Sequence, residues 1–189
     1  MIAAAAVVAV VAGLVIVRAL SGSTARGTTS TATPTATSSG TQRQAATQLS
    51  ALLAKSVTDR AAVTAAAVDV RGCGPNLPQD AQTFAQAASA RRGLLSQLAS
   101  LPGRSALPAA MLQDLTSAWQ ASAQVDTDLS RWAQNNITRG CRHGARSDAH
   151  LRASYAPGAQ ADTSKRAFAA QWNPIARQYG LTTYQRSQL

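Results

Sequence analysis

The hydrophobic positions of residues 45–185 recur at spacings of three and four, which is the period of an amphipathic α-helix. Four such stripes are separated by glycine and proline, the residues that typically end helices. The predicted helices are 45–71, 79–101, 108–136 and 159–172. Asn173-Pro174 is expected to kink or restart the last helix, whose hydrophobic face continues to Gly180. No segment competes as a strand, so the predicted fold class is all-α, an antiparallel four-helix bundle.

The first twenty residues follow another pattern, because residues 1–17 are apolar without interruption. A run of that length is at the short end of a membrane-spanning helix. We therefore expect residues 1–20 to be a transmembrane anchor, with a cleaved signal peptide as the alternative. Arg18 and Arg26 follow the run, and positive charge on that side favours the cytoplasm, which argues against export.

Residues 21–44 are rich in serine, threonine, proline and glycine and contain no large apolar residue. Such a segment buries too little surface to offset its ordering entropy, so we predict a disordered linker. An anchor followed by such a stalk is typical of exported envelope proteins. The expected location is therefore the cell membrane, single-pass, with the domain at 45–185 extracytoplasmic. The alternative is a protein secreted after signal cleavage.

The two cysteines are predicted to form a disulfide. Cys73 follows the first helix and Cys141 follows the third, and in an antiparallel bundle these two helices end on the same side. Outside the cytoplasm such a pair oxidises. The bridge would also stabilise a domain whose alanine-rich helices bury little apolar surface per residue.

The segment RGCRHGARSDAH, residues 139–150, holds Cys141 and both histidines, His143 and His150. These residues offer three metal ligands or a cysteine nucleophile with a histidine base. The spacing matches no zinc pattern, and a disulfide removes the thiolate that catalysis requires. We expect no metal and no cofactor here, and interpret the segment as a basic surface loop.

Each helix carries one charged residue in or beside its apolar stripe, and these are Arg60, Arg91, Asp126 and Lys165. At about 100° per residue, each of the first three lies about 20° from a large apolar residue of its own helix, and Lys165 lies at the stripe edge. Buried charges are usually paired, so Asp126 should meet at least one cation. The interpretations are a structural ion network, which Asp59 could complete, or a ligand site completed by a carboxylate or phosphate. Trp119, Trp132 and Trp172 are expected in the core.

The net charge of +10 is spread along the chain, without a block of five or six like charges. No arginine stripe with interleaved aromatic residues occurs, so nucleic acid is not an expected partner. The expected partners are the membrane, through residues 1–20, and an anionic envelope polymer, lipid headgroups or another envelope protein.

Several short motifs resemble a family of membrane-anchored or secreted proteins of high-GC Gram-positive bacteria, of the actinobacterial type. The motifs are WNPIARQYGL at 172–181, Lys165 and Phe168, AW at 118–119, WA at 132–133, and the paired Cys73 and Cys141. The resemblance implies export, and it implies no particular activity.

Functional expectations follow from what the sequence contains. Glutamate is absent, histidine occurs at two positions, and no paired-carboxylate arrangement stands out, so an enzyme is the least favoured class. We expect a non-enzymatic, membrane-tethered, extracytoplasmic helical domain that mediates interaction or sensing at the envelope. The alternative is a small anionic-ligand-binding module with a polar pocket in the bundle. A cavity beside Arg91 would favour that alternative, whereas a dry, fully paired core would favour a scaffold.

Overall fold

The computed structural model of the chain describes residues 35–141 and 148–189, with side chains from Ser39 onward. The predicted anchor at 1–20, most of the predicted linker, and residues 142–147 lie outside the described residues. All regular secondary structure in the described part is helical, which confirms the predicted class. The helices are α1 (Thr35–Arg71), α2 (Leu77–Ala99), α3 (Ala109–Arg139), α4 (Ala149–Ala153) and α5 (Tyr155–Tyr179). Short 3-10 turns lie at Arg104–Ala106 and Arg186–Gln188.

Four of these helices are long and form a bundle. The helices α2 and α3 pack along each other, α3 also packs against α5, and α1 packs mainly on α2. The helix α1 makes few contacts with α3 and α5. The bundle is therefore open along the side where α1 faces α5, and this opening positions the site described below.

The predicted helix boundaries differ most at the beginning of α1, which starts at Thr35 rather than at 45. Serine, threonine and glycine are poor helix formers, but tertiary contacts override propensity here. Gln42 donates a hydrogen bond to the Ala106 carbonyl at 3.1 Å and accepts one from the Tyr179 hydroxyl. The guanidinium of Arg43 lies 5.2 Å from the centre of the Tyr179 ring. The part of the predicted linker at 35–44 is therefore helical and belongs to the packed domain.

The helix α5 begins at Tyr155, before the predicted start, and continues through Pro174 to Tyr179. Gly180 follows in the left-handed conformation, with φ of 69°. The side chain of Asn173 donates to the Tyr184 carbonyl and accepts from the Tyr184 amide, both at 2.9 Å. The Trp172 indole donates to the Thr182 carbonyl at 3.0 Å. The WNP motif thus fixes the C-terminal segment against the bundle, and the packed domain extends to the buried Leu189 rather than ending at 185.

The predicted disulfide is confirmed. Cys73, just after α1, is bonded to Cys141, just after α3, with the two Cα atoms 5.6 Å apart. The ends of α1 and α3 therefore lie together, as expected for alternating helices of a bundle.

Two apolar clusters fill the interior, and a polar layer separates them. The larger cluster surrounds Trp119 and Trp172, and the smaller one surrounds Trp132 near the disulfide, so the tryptophans are in the core as predicted. Between the clusters the buried positions change from apolar to polar or charged. The buried members of this layer are Ser56, Arg91, Ser122, Asp126 and Lys165.

No helix within residues 35–141 and 148–189 is both long enough and apolar enough to cross a membrane.

Candidate functional site

The four charged residues predicted from the stripes lie around one cleft. Arg60 comes from α1, Arg91 from α2, Asp126 from α3 and Lys165 from α5, and all four line a cleft of about 270 Å³. Each helix contributes its charged residue at the level where its apolar stripe is interrupted. The structure therefore brings the four together, at the opening between α1 and α5.

Arg91 and Asp126 form a buried ion pair. The Nε atom of Arg91 donates to Oδ2 of Asp126 at 2.6 Å, and both side chains are 2% exposed. Burial raises the pKa of Asp126, while the charge of Arg91 and its hydrogen bond oppose that shift. Asp126 was expected to contact at least one cation, and it contacts Arg91 directly. Neither Arg60 nor Lys165 lies within 4.0 Å of it in the described part of the chain.

The pair leaves part of Arg91 unused. Its Nη1 atom is buried and has no hydrogen-bond partner among the described residues. The same is true of the Ser122 hydroxyl, which lines the same cleft one helical turn before Asp126 on α3 and is 5% exposed. Buried donors without partners are rare in folded proteins, because each costs about 1–3 kcal/mol.

Lys165 lines the cleft and is only 3% exposed. Among the described residues, no carboxylate oxygen lies within 4.0 Å of its ammonium and it donates no hydrogen bond. Burial lowers the pKa of Lys165 to about 8, and the positive charges of Arg60 and Arg91 add to the shift. Asp162 and Asp126 act in the opposite direction but do not cancel it.

Arg60 lies at the edge of the cleft and is half-buried. Its Nη1 atom donates to the backbone oxygen of Leu189 at 3.3 Å, so the C-terminal segment sets its position. In the part of the chain that the structure describes, neither Arg60 nor Asp59 has a side chain of opposite charge within 4.0 Å. The interpretation in which Asp59 completes the network by direct contact therefore finds no support in the geometry.

Positive charge exceeds negative charge around the cleft. Arg60, Arg91 and Lys165 face two carboxylates, those of Asp126 and Asp162. Asp162 is itself bound by Arg186, whose Nη1 atom lies 2.7 Å from its Oδ2 atom. Because each of these carboxylates is already in contact with an arginine, Lys165 has no counter-ion in contact among the described residues.

The segment at 139–150 does not reach this cleft in its described residues. Cys141 is in the disulfide, and residues 142–147, including His143, lie outside the described residues. Asp148 accepts from the amides of His150 and Leu151 and so caps α4. Burial would raise the pKa of Asp148, but a hydrogen bond from Asn135 and the two amides lower it overall.

Within 35–141 and 148–189 no three histidine, cysteine or carboxylate residues are grouped so as to hold a metal ion.

Sequence reasoning missed two features of the cleft. Ser122 was not predicted as a site residue, although a polar residue within the apolar stripe of α3 is the signal that could have identified it. Asp162 and its contact with Arg186 were also missed, because both lie outside the apolar stripes.

Comparison with family models, with curated proteins and with solved structures finds no match to this chain. The resemblance to exported actinobacterial proteins therefore stays a prediction, and the function is inferred from the cleft.

Proposed function

We propose that the protein is a non-enzymatic binding module whose polar cleft captures a small anionic group, a carboxylate or a phosphate. The observation that carries the proposal is a set of donors on three helices that have no acceptor among the described residues: the buried Arg91 Nη1 atom, the buried Ser122 hydroxyl and the Lys165 ammonium. An oxyanion offers several acceptor sites at once, and charge-assisted hydrogen bonds are the strong ones.

The energetic cost of burying donors without partners also supports anion binding. The protein has already buried Arg91 Nη1 and the Ser122 hydroxyl without a partner among the described residues, at a cost of about 1–3 kcal/mol for each. A bound anion would recover that cost. It would also favour the charged form of Lys165, whose pKa burial has lowered to about 8.

The cleft also distinguishes this proposal from the other expected functions. A scaffold is expected to have a dry, fully paired core, whereas a cavity lies beside Arg91. Catalysis would need a general base that is free to accept a proton. Asp126 and Asp162, the two carboxylates of the cleft, are each in contact with an arginine, and Lys165 is protonated below about pH 8, which favours binding over proton abstraction.

The proposal places the domain outside the cytoplasm, tethered to the membrane by residues 1–20. The disulfide supports this placement, because stable disulfides belong to oxidising compartments. Membrane fractionation, followed by protease added to intact cells, tests it. Cleavage of the domain in intact cells is expected, and full protection with release only on lysis would contradict the placement.

Calorimetric titration of the full-length chain with inorganic phosphate and with acetate tests the binding function. We expect a dissociation constant of about 1 mM or lower for one of them, equivalent to about −4 kcal/mol. Ser122→Ala should weaken binding severalfold, and Lys165→Met should weaken it about tenfold or more, because each removes a donor. Acetate affinity should fall as pH rises above about 8, since Lys165 then loses its proton.

Lys55→Met is the matched control, because Lys55 is the other lysine of the chain and is exposed. It removes the same charge at a distance from the cleft and should leave both affinities unchanged. The proposal is wrong if neither anion binds, or if Lys55→Met and Lys165→Met weaken binding equally, which would indicate attraction to the net charge alone.

A further inference from the structure

An open apolar groove runs along α1 next to the cleft. Its volume is about 680 Å³, and its α1 lining includes Val57, Ala61, Ala65 and Val68. The spacing of these residues, by three or four, places them on one face of the helix. The other wall is formed by Ser187 and Gln188 of the C-terminal turn.

This face of α1 is apolar although it is exposed. Val68 is 65% exposed and is one of two large hydrophobic residues so exposed in the described part of the chain, the other being Tyr155. The face lies on the side of α1 that is not covered by α2, where the bundle is open. Contiguous exposed apolar surface commonly marks a binding site.

The groove and the cleft are continuous. Arg60 and Thr64 line both of them, so the apolar groove leads directly to the cationic group of Arg60. The hydrogen bond from Arg60 to the Leu189 backbone holds that side chain at the junction. A molecule that extends from the cleft into the groove would therefore contact cationic donors at one end and the apolar face of α1 at the other.

The volumes of the cleft and the groove indicate which part of such a molecule each would hold. Ligand pockets usually measure about 300–1,000 Å³, so the cleft, at about 270 Å³, accommodates little more than a headgroup. The groove lies within that usual range. The remainder of a larger ligand would therefore occupy the groove, and the apolar lining favours an alkyl chain there.

We propose that the ligand is a single-chain amphiphile, with its anionic head in the cleft and its alkyl chain in the groove along α1. This inference rests on the proposed anion-binding function and adds the class of ligand. Charge complementarity selects the head, and the continuity through Arg60 and Thr64 sets the direction of the chain.

A chain-length series of water-soluble carboxylates tests the proposal: acetate, butyrate, hexanoate and octanoate. The full-length chain is held in nanodiscs of zwitterionic lipid, so that no free detergent competes, and empty nanodiscs are titrated as a blank. A fully buried methylene raises affinity about fourfold, and an open groove should give about twofold. Octanoate has six more methylenes than acetate and should therefore bind about 60-fold more tightly, and 1-octanol should bind much more weakly than octanoate.

Ala65→Gln places a longer polar side chain in the groove and should flatten the series while leaving acetate binding intact. Ala51→Gln is its control, because Ala51 is an exposed alanine of α1 outside the groove. It should leave the whole series unchanged.

The possible failures are distinguishable. If acetate and phosphate do not bind, the anion-binding function itself is wrong. If they bind but affinity does not rise with chain length, or Ala65→Gln has no effect on octanoate, only the amphiphile proposal is overturned. Equal binding of 1-octanol and octanoate would overturn it as well. A change in oligomeric mass on Ala65→Gln, measured by light scattering, would instead assign the groove to contact between copies of this chain and overturn the proposal.

Discussion

Replacing Lys165 with methionine is expected to stabilise the protein at neutral pH. Lys165 is buried, and no carboxylate oxygen among the described residues lies within 4.0 Å of its ammonium. Methionine is similar in length and carries no charge, so it fills the space without the desolvation cost. Asp126 keeps its contact with Arg91, so the substitution leaves no carboxylate without a partner.

The magnitude follows from the pKa of Lys165. Burial and the nearby arginines lower it from 10.5 to about 8. The difference, 10.5 − 8, is 2.5 pH units, and one unit corresponds to about 1.4 kcal/mol, so holding the charged form in the fold costs at most about 3.5 kcal/mol. Lys165→Met should therefore raise the free energy of unfolding by about 2–3 kcal/mol near pH 7.

The pH dependence has a definite sign. Below about pH 8 Lys165 is protonated in both the folded and the unfolded state, so the full cost is present. Between about pH 8 and 10.5 the unfolded state binds more protons, so the stability of the wild-type protein rises with pH. The advantage of Lys165→Met should therefore shrink across this interval.

Chemical denaturation followed by far-UV circular dichroism, near pH 7 and near pH 10, measures both quantities. Lys55→Met is the control and should change stability by less than about 0.5 kcal/mol, because that lysine is exposed. The reasoning would be refuted if Lys165→Met lost more than about 1 kcal/mol near pH 7. It would also be refuted if the difference from wild type were the same at both pH values.

Two further predictions concern the structural contacts around the site. In a double-mutant cycle of Arg91→Met and Asp126→Asn, we expect a coupling energy above about 1.5 kcal/mol, because the pair is buried and in contact at 2.6 Å. A coupling energy below about 0.5 kcal/mol would show that the contact is not energetically important. Replacing both Cys73 and Cys141 with serine should lower the free energy of unfolding by about 4 kcal/mol, because the disulfide joins residues 68 positions apart. Calorimetric melting measures the loss, and an unchanged melting temperature would contradict the prediction.

The charged positions of the site could be predicted because helical periodicity is local information. Arg60, Arg91 and Asp126 each lie close to a large apolar residue of the same helix when projected around its axis, and that relation depends only on the 3.6-residue repeat. The disulfide was equally accessible, because alternation of helix direction decides which helix ends meet.

The remaining features depend on packing that periodicity does not contain. The early start of α1 requires Gln42 to meet Tyr179, residues separated by 137 positions in the chain. The position of Arg60 depends on Leu189, and that contact depends in turn on Asn173 holding Tyr184. The opening between α1 and α5, and the cleft that it forms, could not be predicted from the sequence, because the apolar stripes of the four helices do not show which pair packs loosely.

The disulfide and the WNP motif stabilise a bundle whose core contains an unfavourable polar layer. The layer interrupts the apolar core in the middle of the bundle and keeps at least one uncompensated charge, Lys165, in place. The disulfide fixes one end of the bundle, and the WNP motif fixes the C-terminal segment that sets Arg60. An apolar layer would make the domain more stable, since buried ion pairs are often neutral or unfavourable compared with well-packed hydrophobic residues. Charges that lower stability, at the level where the bundle opens to the cleft, are the pattern expected of the proposed binding site, because function often costs stability.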